Sequence, residues 1–172
     1  TYTVQASGTF SASDALALIT ANSHVAVTIS DTAANIVSNL ADLVTNRAQI
    51  TSITQSNAGA LNVSYAQATD ANTITTLNKI NSGTYTLNVS GVSAANVSSL
   101  AANTKVTSML VTDTSANIAT NLDALQTNQA KITSITQSGT PAALDVTYSQ
   151  VTSAAQALAK IDSNVYTLNV SG

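Results

Sequence analysis

The stretch ITSITQS stands at residues 50–56 and again, letter for letter, at 132–138, 82 positions later. Working outward, YTLNVSG occurs at 85–91 and at 166–172, an offset of 81. Asp31, Thr32, Ala34, Asn35, Ile36, Asn39, Leu40 and Leu43 recur as Asp113, Thr114, Ala116, Asn117, Ile118, Asn121, Leu122 and Leu125. LNVSYAQ at 61–67 returns as LDVTYSQ at 144–150, and the opening TYTVQASG echoes TYTLNVSG at 84–91. The chain therefore reads as two copies of a unit of about 82 residues. The first super-repeat spans 1–83, the second 84–164, and 165–172 forms the opening strand of a third, all within one continuous array.

Each super-repeat divides into three. VTDTSANIATNLDAL (111–125), VSGVSAANVSSLAAN (89–103) and VTYSQVTSAAQALAK (146–160) each read as a strand end, a polar turn and a helix with apolar residues three or four apart. Taking Val4, Val27, Ile53, Leu87, Met109, Ile135 and Leu168 as equivalent strand positions gives spacings of 23, 26, 34, 22, 26 and 33. Tyr85, Leu87 and Val89 alternate with Thr86, Asn88 and Ser90, the period of a strand with two unlike faces. Ile36, Leu40 and Leu43 fall on one helical face, as do Ile118, Leu122 and Leu125. The expected fold is α/β: a right-handed α/β solenoid with a parallel sheet and helices on one side, three strand–helix coils per super-repeat. The fixed repeat order favours this linear stack over a compact doubly wound sheet.

Composition narrows the chemistry. Alanine, threonine, serine and asparagine account for 95 of 172 residues, and charged residues for only 8%. There is no cysteine for disulfides, zinc or a thiol nucleophile. Four lysines and one arginine are too few for a phosphate-tracking surface, so nucleic acid is not an expected partner. No apolar run approaches the roughly 18 residues of a membrane span, and no membrane insertion is expected. Yet 44% of the residues are hydrophobic, regularly spaced, which argues against disorder. His24, the one histidine, has Val106 as its counterpart and no catalytic partners nearby, so no catalytic residues and no enzyme activity are expected.

Asp31 and Asp113 stand just before helical patterns, where a carboxylate accepts first-turn amides. A calcium site at these two residues is the secondary reading, without the converging set of acids such a site needs. No other cofactor is expected. The repeated asparagines Asn35, Asn96, Asn117, Asn88 and Asn169 read as a stacked amide ladder. The long coil carries an insertion, TQSNAGA at 54–60 and TQSGTPAA at 136–143, marked as loop by Gly59, Gly139 and Pro141. Its Gln55, Asn57, Gln137, Thr140 and Pro141 are the candidates for lateral contact or adhesion. The final strand, with Tyr166, Leu168 and Val170, repeats the start of a unit and is expected to continue by stacking on another copy or into further repeats.

The motifs VTDTSANIATNLDAL and ITSITQSGTPAALDVTYSQVTSAAQALAKI resemble repeats of very large bacterial surface and secreted proteins, including adhesins exported by type I secretion and surface-layer proteins. The resemblance implies an extracellular or cell-surface setting and a structural job as stalk, spacer, fibre or lattice segment. An adhesive module using loops 54–60 and 136–143 on glycans or surfaces is the alternative.

Overall fold

The computed structural model describes residues 2–162 and 165–172; Thr1 and Asn164, the expected start of the first repeat and end of the second, lie outside the described residues. The chain divides into two compact units, Thr1–Leu87 and Asn88–Gly172. Both are mixed α/β with parallel strands.

In the first unit the order is β1 (Val4–Phe10), α1 (Ala12–Ala21), β2 (Val25–Asp31), α2 (Ala33–Ser38), α3 (Leu40–Thr45), β3 (Ile50–Gln55), β4 (Leu61–Ser64), α4 (Tyr65–Thr69) and α5 (Ala71–Leu77). Strands β1, β2 and β3 form a parallel sheet in that order. Every second residue of β2, from Val25 through Val27 and Ile29 to Asp31, is buried, while Ala26, Thr28 and Ser30 between them are half-buried. Ala12, Ala15 and Ile19 of α1, Ile36 of α2, and Leu40 and Leu43 of α3 supply the helical side of the core. The small alanines on α1 let its backbone lie close to the sheet.

The ITSITQ strand solves a spacing problem. Ile50 and Ile53 are three residues apart, yet both are buried. The register on β2 steps from Val27↔Ile50 to Thr28↔Ser52, so Thr51 is the extra residue of a bulge. The second unit repeats the device: Met109↔Ile132 is followed by Leu110↔Ser134.

That second unit runs β5 (Leu87–Val92, beginning on the boundary residue), α6 (Val97–Ala101), β6 (Val106–Asp113), α7 (Ser115–Thr120), α8 (Leu122–Thr127), β7 (Ile132–Gln137), β8 (Leu144–Thr147), α9 (Tyr148–Ser153), α10 (Ala155–Leu158) and β9 (Leu168–Ser171). β6 pairs in parallel with β7, and β8 with β9. Val89, Met109, Val111, Ile118, Leu122 and Leu125 are fully buried.

The helical stripes expected over 36–43 and 118–125 are present, but each is broken into two helices. The breaks fall at Asn39 and Asn121, whose side-chain amides bond to the carbonyls of Asn35 (2.9 Å) and Asn117 (2.8 Å). Side-chain bonding of this kind competes with the helix ladder and shortens the helices. Threonine does the same on outer turns, as Thr20 to the Leu16 carbonyl and Thr45 to that of Ala41 show.

The long coil also differs from the sequence expectation. Ile53 is matched not with Leu87 but with Ile80, through a single parallel bridge, and Ile135 likewise with Ile161. The strand segment after each insertion has its own partner: the Leu61 amide donates to the Thr86 carbonyl at 2.9 Å, and Leu144 pairs with Leu168. Both ITSI and the later LNVS or LDVT segment are therefore strands. The unusual length of 33 or 34 residues is an ordinary coil plus a jog along the strand direction.

Candidate functional site

The charged residues are few, and two pairs of them, Asp31 with Asp113 and Lys79 with Lys160, make matching contacts in the two units. Asp31 ends β2. Its Oδ2 accepts the backbone N–H of Ala12, the first residue of α1, at 2.9 Å. Its Oδ1 accepts from the Thr32 N–H (2.8 Å) and the Asn35 side-chain amide (2.7 Å). Asp113, at the end of β6, accepts from Ala94 N–H, Thr114 N–H and the Asn117 amide at 2.9, 2.8 and 2.7 Å. Burial pushes both carboxyls up. For Asp31 the donations of Ala12, Asn35 and Thr32 outweigh it; for Asp113 those of Asn117, Ala94 and Thr114 do. Both are held below the usual carboxylate range.

These aspartates were expected to cap the helices that follow them. The caps are instead Thr32 and Thr114, whose hydroxyls accept from the Asn35 and Asn117 N–H groups. The aspartates sit one position earlier and reach back to the preceding helical segment, tying two successive strand–helix segments together. The donor set does not fit calcium. Both oxygens of each carboxylate face N–H hydrogens, whereas calcium requires six or more converging oxygens. Among the described residues no group of three or more histidines, cysteines or acids is placed to hold a metal ion.

The lysines work at the opposite ends of the helices. Lys79 Nζ donates to the Ile50 carbonyl at 2.6 Å. Lys131 Nζ reaches the carbonyls of Ala101 (2.8 Å) and Asn103 (3.2 Å). Lys160 Nζ donates to Gln129 (2.6 Å) and to the Ile132 carbonyl. Each of these three lysines thus bonds carbonyls 28 to 31 positions earlier, near the C-terminal side of a helix or the start of the next strand. Negative groups at helix starts and positive groups near helix ends also suit the helix dipole. The sequence reading missed the lysine ties, because nothing local marks a contact across a whole coil.

Of the insertion residues Gln137 is buried, Gln55 is half-buried, and Asn57, Thr140 and Pro141 are exposed. Gln55 Nε2 donates to the carbonyls of Asn57 (2.7 Å) and Gly59 (2.8 Å), closing the loop on itself. Asn57 Oδ1 accepts the Ala33 N–H at 2.7 Å, holding the loop against the start of α2. In the second unit Gln137 is only 7% exposed. Its Nε2 donates to Ser115 Oγ (2.7 Å) and the Ala142 carbonyl (3.0 Å), and Ser115 Oγ in turn accepts the Ala142 N–H at 3.0 Å. Thr140 and Pro141, at the outer turn of this loop, are exposed. The chain reverses there at Gly139, whose φ of +75° suits a residue without a Cβ.

At the jog, side chains replace a missing strand. Ile53 N–H donates to the Lys79 carbonyl at 3.0 Å, but two residues on the Gln55 N–H donates to Asn81 Oδ1 at 3.1 Å. Ile135 and Gln137 repeat this with the Lys160 carbonyl (2.8 Å) and Asp162 Oδ1 (3.1 Å). Asn81 and Asp162 both have positive φ, 45° and 42°, a conformation Asn and Asp tolerate better than most residues.

Asn35 and Asn117 serve the aspartates, Asn96 donates to Ser93 Oγ at 2.8 Å, Asn88 Oδ1 accepts from Ser108 Oγ at 2.6 Å, and Asn169 donates to Asp145 at 2.9 Å. His24 stacks on Tyr2 with ring centroids 5.0 Å apart. On β9 and just before it, Tyr166 and Leu168 are half-buried and Val170 is exposed. Among the described residues no helix is long and apolar enough to cross a membrane.

No protein-family model matches the chain, and no curated protein matches it significantly.

Proposed function

We propose that the chain is a structural repeat module of an extracellular bacterial surface protein, built as a right-handed α/β solenoid and serving as a stalk, spacer or fibre- or lattice-forming segment. The observation that carries this reading is the repeated aspartate clamp: Asp31 with Ala12, Thr32 and Asn35, and Asp113 with Ala94, Thr114 and Asn117, at matching distances. Asp31, Asp113, Lys79, Lys131 and Lys160, five of the scarce charges of this sequence, join neighbouring strand–helix segments. A catalytic pocket would gather them in one cleft; a load-carrying stack distributes them once per repeat. The extracellular setting rests on the resemblance of the repeats and on the cysteine-free, Thr- and Asn-rich composition.

Solution scattering on covalent arrays of two, four and six super-repeats tests the solenoid. The maximum dimension is expected to rise linearly with repeat number; a radius growing as the cube root of mass would exclude it. Antibody labelling of intact cells of the source bacterium tests the location. Adhesion through the loop at 136–143 is the second reading, supported by the exposure of Thr140 and Pro141, and a glycan array probes it directly.

A further inference from the structure

We propose that Asn81 is a self-modification site: it closes a ring with the Ser82 amide, loses ammonia and opens to an acid, the residue type the second unit already carries at Asp162. The proposal goes beyond the structural-module reading and does not depend on it.

Aligning LNKINSGTYTLNVSG (77–91) with LAKIDSNVYTLNVSG (158–172) sets Asn81 against Asp162. The two side chains do the same work. Asn81 Oδ1 accepts the Gln55 N–H at 3.1 Å, and Asp162 Oδ1 accepts the Gln137 N–H at 3.1 Å. Their φ angles, 45° and 42°, match as well. The product of an amide-to-acid change at residue 81 is therefore one this fold already holds in place. A carboxylate there also accepts the Gln55 N–H more strongly than an amide does.

The reaction needs an activated side-chain carbonyl, an open amide directly after it, and freedom to bring the two together. The Gln55 N–H draws electrons from the Asn81 carbonyl and faces the oxyanion that forms during attack. Of the asparagines, only Asn22 and Asn81 precede serine, and none precedes glycine, so these two offer the least crowded nucleophile. Asn81 and Ser82 are exposed, and the Ser82 N–H has no partner among the described residues. The leaving nitrogen is loosely held, by the Thr84 carbonyl at 3.5 Å. Positive φ at residue 81 already suits the ring, as at the first central position of a II′ turn. Only the peptide between 81 and 82 must turn over, which gives up the 3.2 Å bond from the Thr84 N–H to the Asn81 carbonyl. Asn22 instead stands at a φ of −150°, and its Oδ1 is taken by the His24 N–H at 3.0 Å.

Solvent base takes the Ser82 amide proton, and the nitrogen bonds to Cγ of Asn81. The Cγ–Nδ2 bond breaks, and Nδ2 leaves as ammonia. Water then opens the cyclic imide at either carbonyl, giving aspartate or the backbone-lengthened isoaspartate.

Peptide mapping by mass spectrometry of the folded chain, held in mildly alkaline buffer, tests this. Asn81 is expected to show the mass change of an amide-to-acid exchange at least threefold faster than Asn22, where the same Asn–Ser pair predicts an equal rate from sequence. It should lead Asn35 and Asn117, each followed by isoleucine, at least tenfold. Isoaspartate beside aspartate at residue 81, scored with an isoaspartyl methyltransferase, identifies the ring. Ser82→Leu crowds the attacking nitrogen and is expected to slow conversion at least fivefold at an unchanged melting temperature. N81D is expected to melt no lower than the parent. Four results overturn the proposal: Asn81 persisting while Asn22 converts at the same rate or faster, aspartate at residue 81 with no isoaspartate, S82L converting as fast as the parent, or N81D melting well below it.

Discussion

The carboxylate of Asp31 accepts the backbone N–H of Ala12 across 2.9 Å, linking the end of one strand to the first turn of the helix that precedes it in the chain. Ala12 N–H is a first-turn amide with no partner inside its own helix. The next two open donors, Thr32 N–H and the Asn35 amide, converge on the other oxygen of the same carboxylate. One aspartate therefore satisfies groups from two successive segments, and Asp113 does so again.

Replacing either aspartate by asparagine is expected to destabilise the chain by about 1–3 kcal/mol, the usual cost of leaving a buried polar group unpaired. The asparagine oxygen can face Thr32 and Asn35, but its NH2 then confronts the Ala12 N–H. Urea melts of D31N and D113N measure the loss. A change of under about 0.3 kcal/mol in both would show that the clamp carries no stability.

Acid should unlock the same contacts. In the folded chain both carboxyls are held below the ordinary aspartate value, so within that window the unfolded state binds more protons. Their contribution is complete above about pH 4, the unfolded value, and is lost as the pH falls through the depressed folded values. Chemical melts at pH 7, 4 and 2.5 should show stability falling toward acid in the parent. The fall should be shallower in D31N/D113N.

Lysine ties respond differently. Lys160→Met removes donors to the Gln129 and Ile132 carbonyls and is expected to cost about 1–2 kcal/mol, in the lower range for hydrogen bonds to a charged group. Because the partners are neutral carbonyls, added salt should change this cost little, unlike a surface ion pair. A loss that disappears in high salt would point to an ionic partner.

The sequence carried the apolar skeleton plainly. Ile36, Leu40, Leu43 and their repeats lie three or four apart, and period alone assigns them to a helical face. The strand alternation of Leu87 and Val89 was equally readable. What local pattern could not convey was partnership across a coil. Asp31 and Thr32 stand side by side before a helix, and either can cap it; only the position of Ala12, 19 residues away, makes threonine the cap and aspartate the clamp. Lys79 and the Ile50 carbonyl are separated by 29 positions. Leu87 was aligned with Ile53 because its strand is the more regular, whereas the true match, Ile80, is an isolated bridge before a turn. Gln137 looked solvent-directed for a similar reason. A glutamine in a Gly- and Ser-rich loop gives no sign that a buried serine hydroxyl awaits it.

That glutamine separates the structural part of the loop from any part free to bind. Gln137→Ala leaves Ser115 Oγ with the Ala142 N–H as donor and removes the glutamine's bond to the Ala142 carbonyl, at a site where the glutamine is buried. A loss of about 1–3 kcal/mol is expected. Thr140→Ala and Pro141→Ala lie on the exposed turn and should change stability by no more than about 0.5 kcal/mol. Removing the whole of 136–143 deletes Gln137 and is therefore expected to destabilise the second unit, whereas a shortcut confined to 139–141 should be tolerated. Thermal melts of the five variants rank these costs. If the loop serves adhesion, the two exposed variants are the ones to lose surface or glycan binding while keeping the parent's melting temperature. If Q137A melts like the parent, the Ser115–Gln137–Ala142 network contributes nothing to stability, and the whole insertion becomes available as a contact surface.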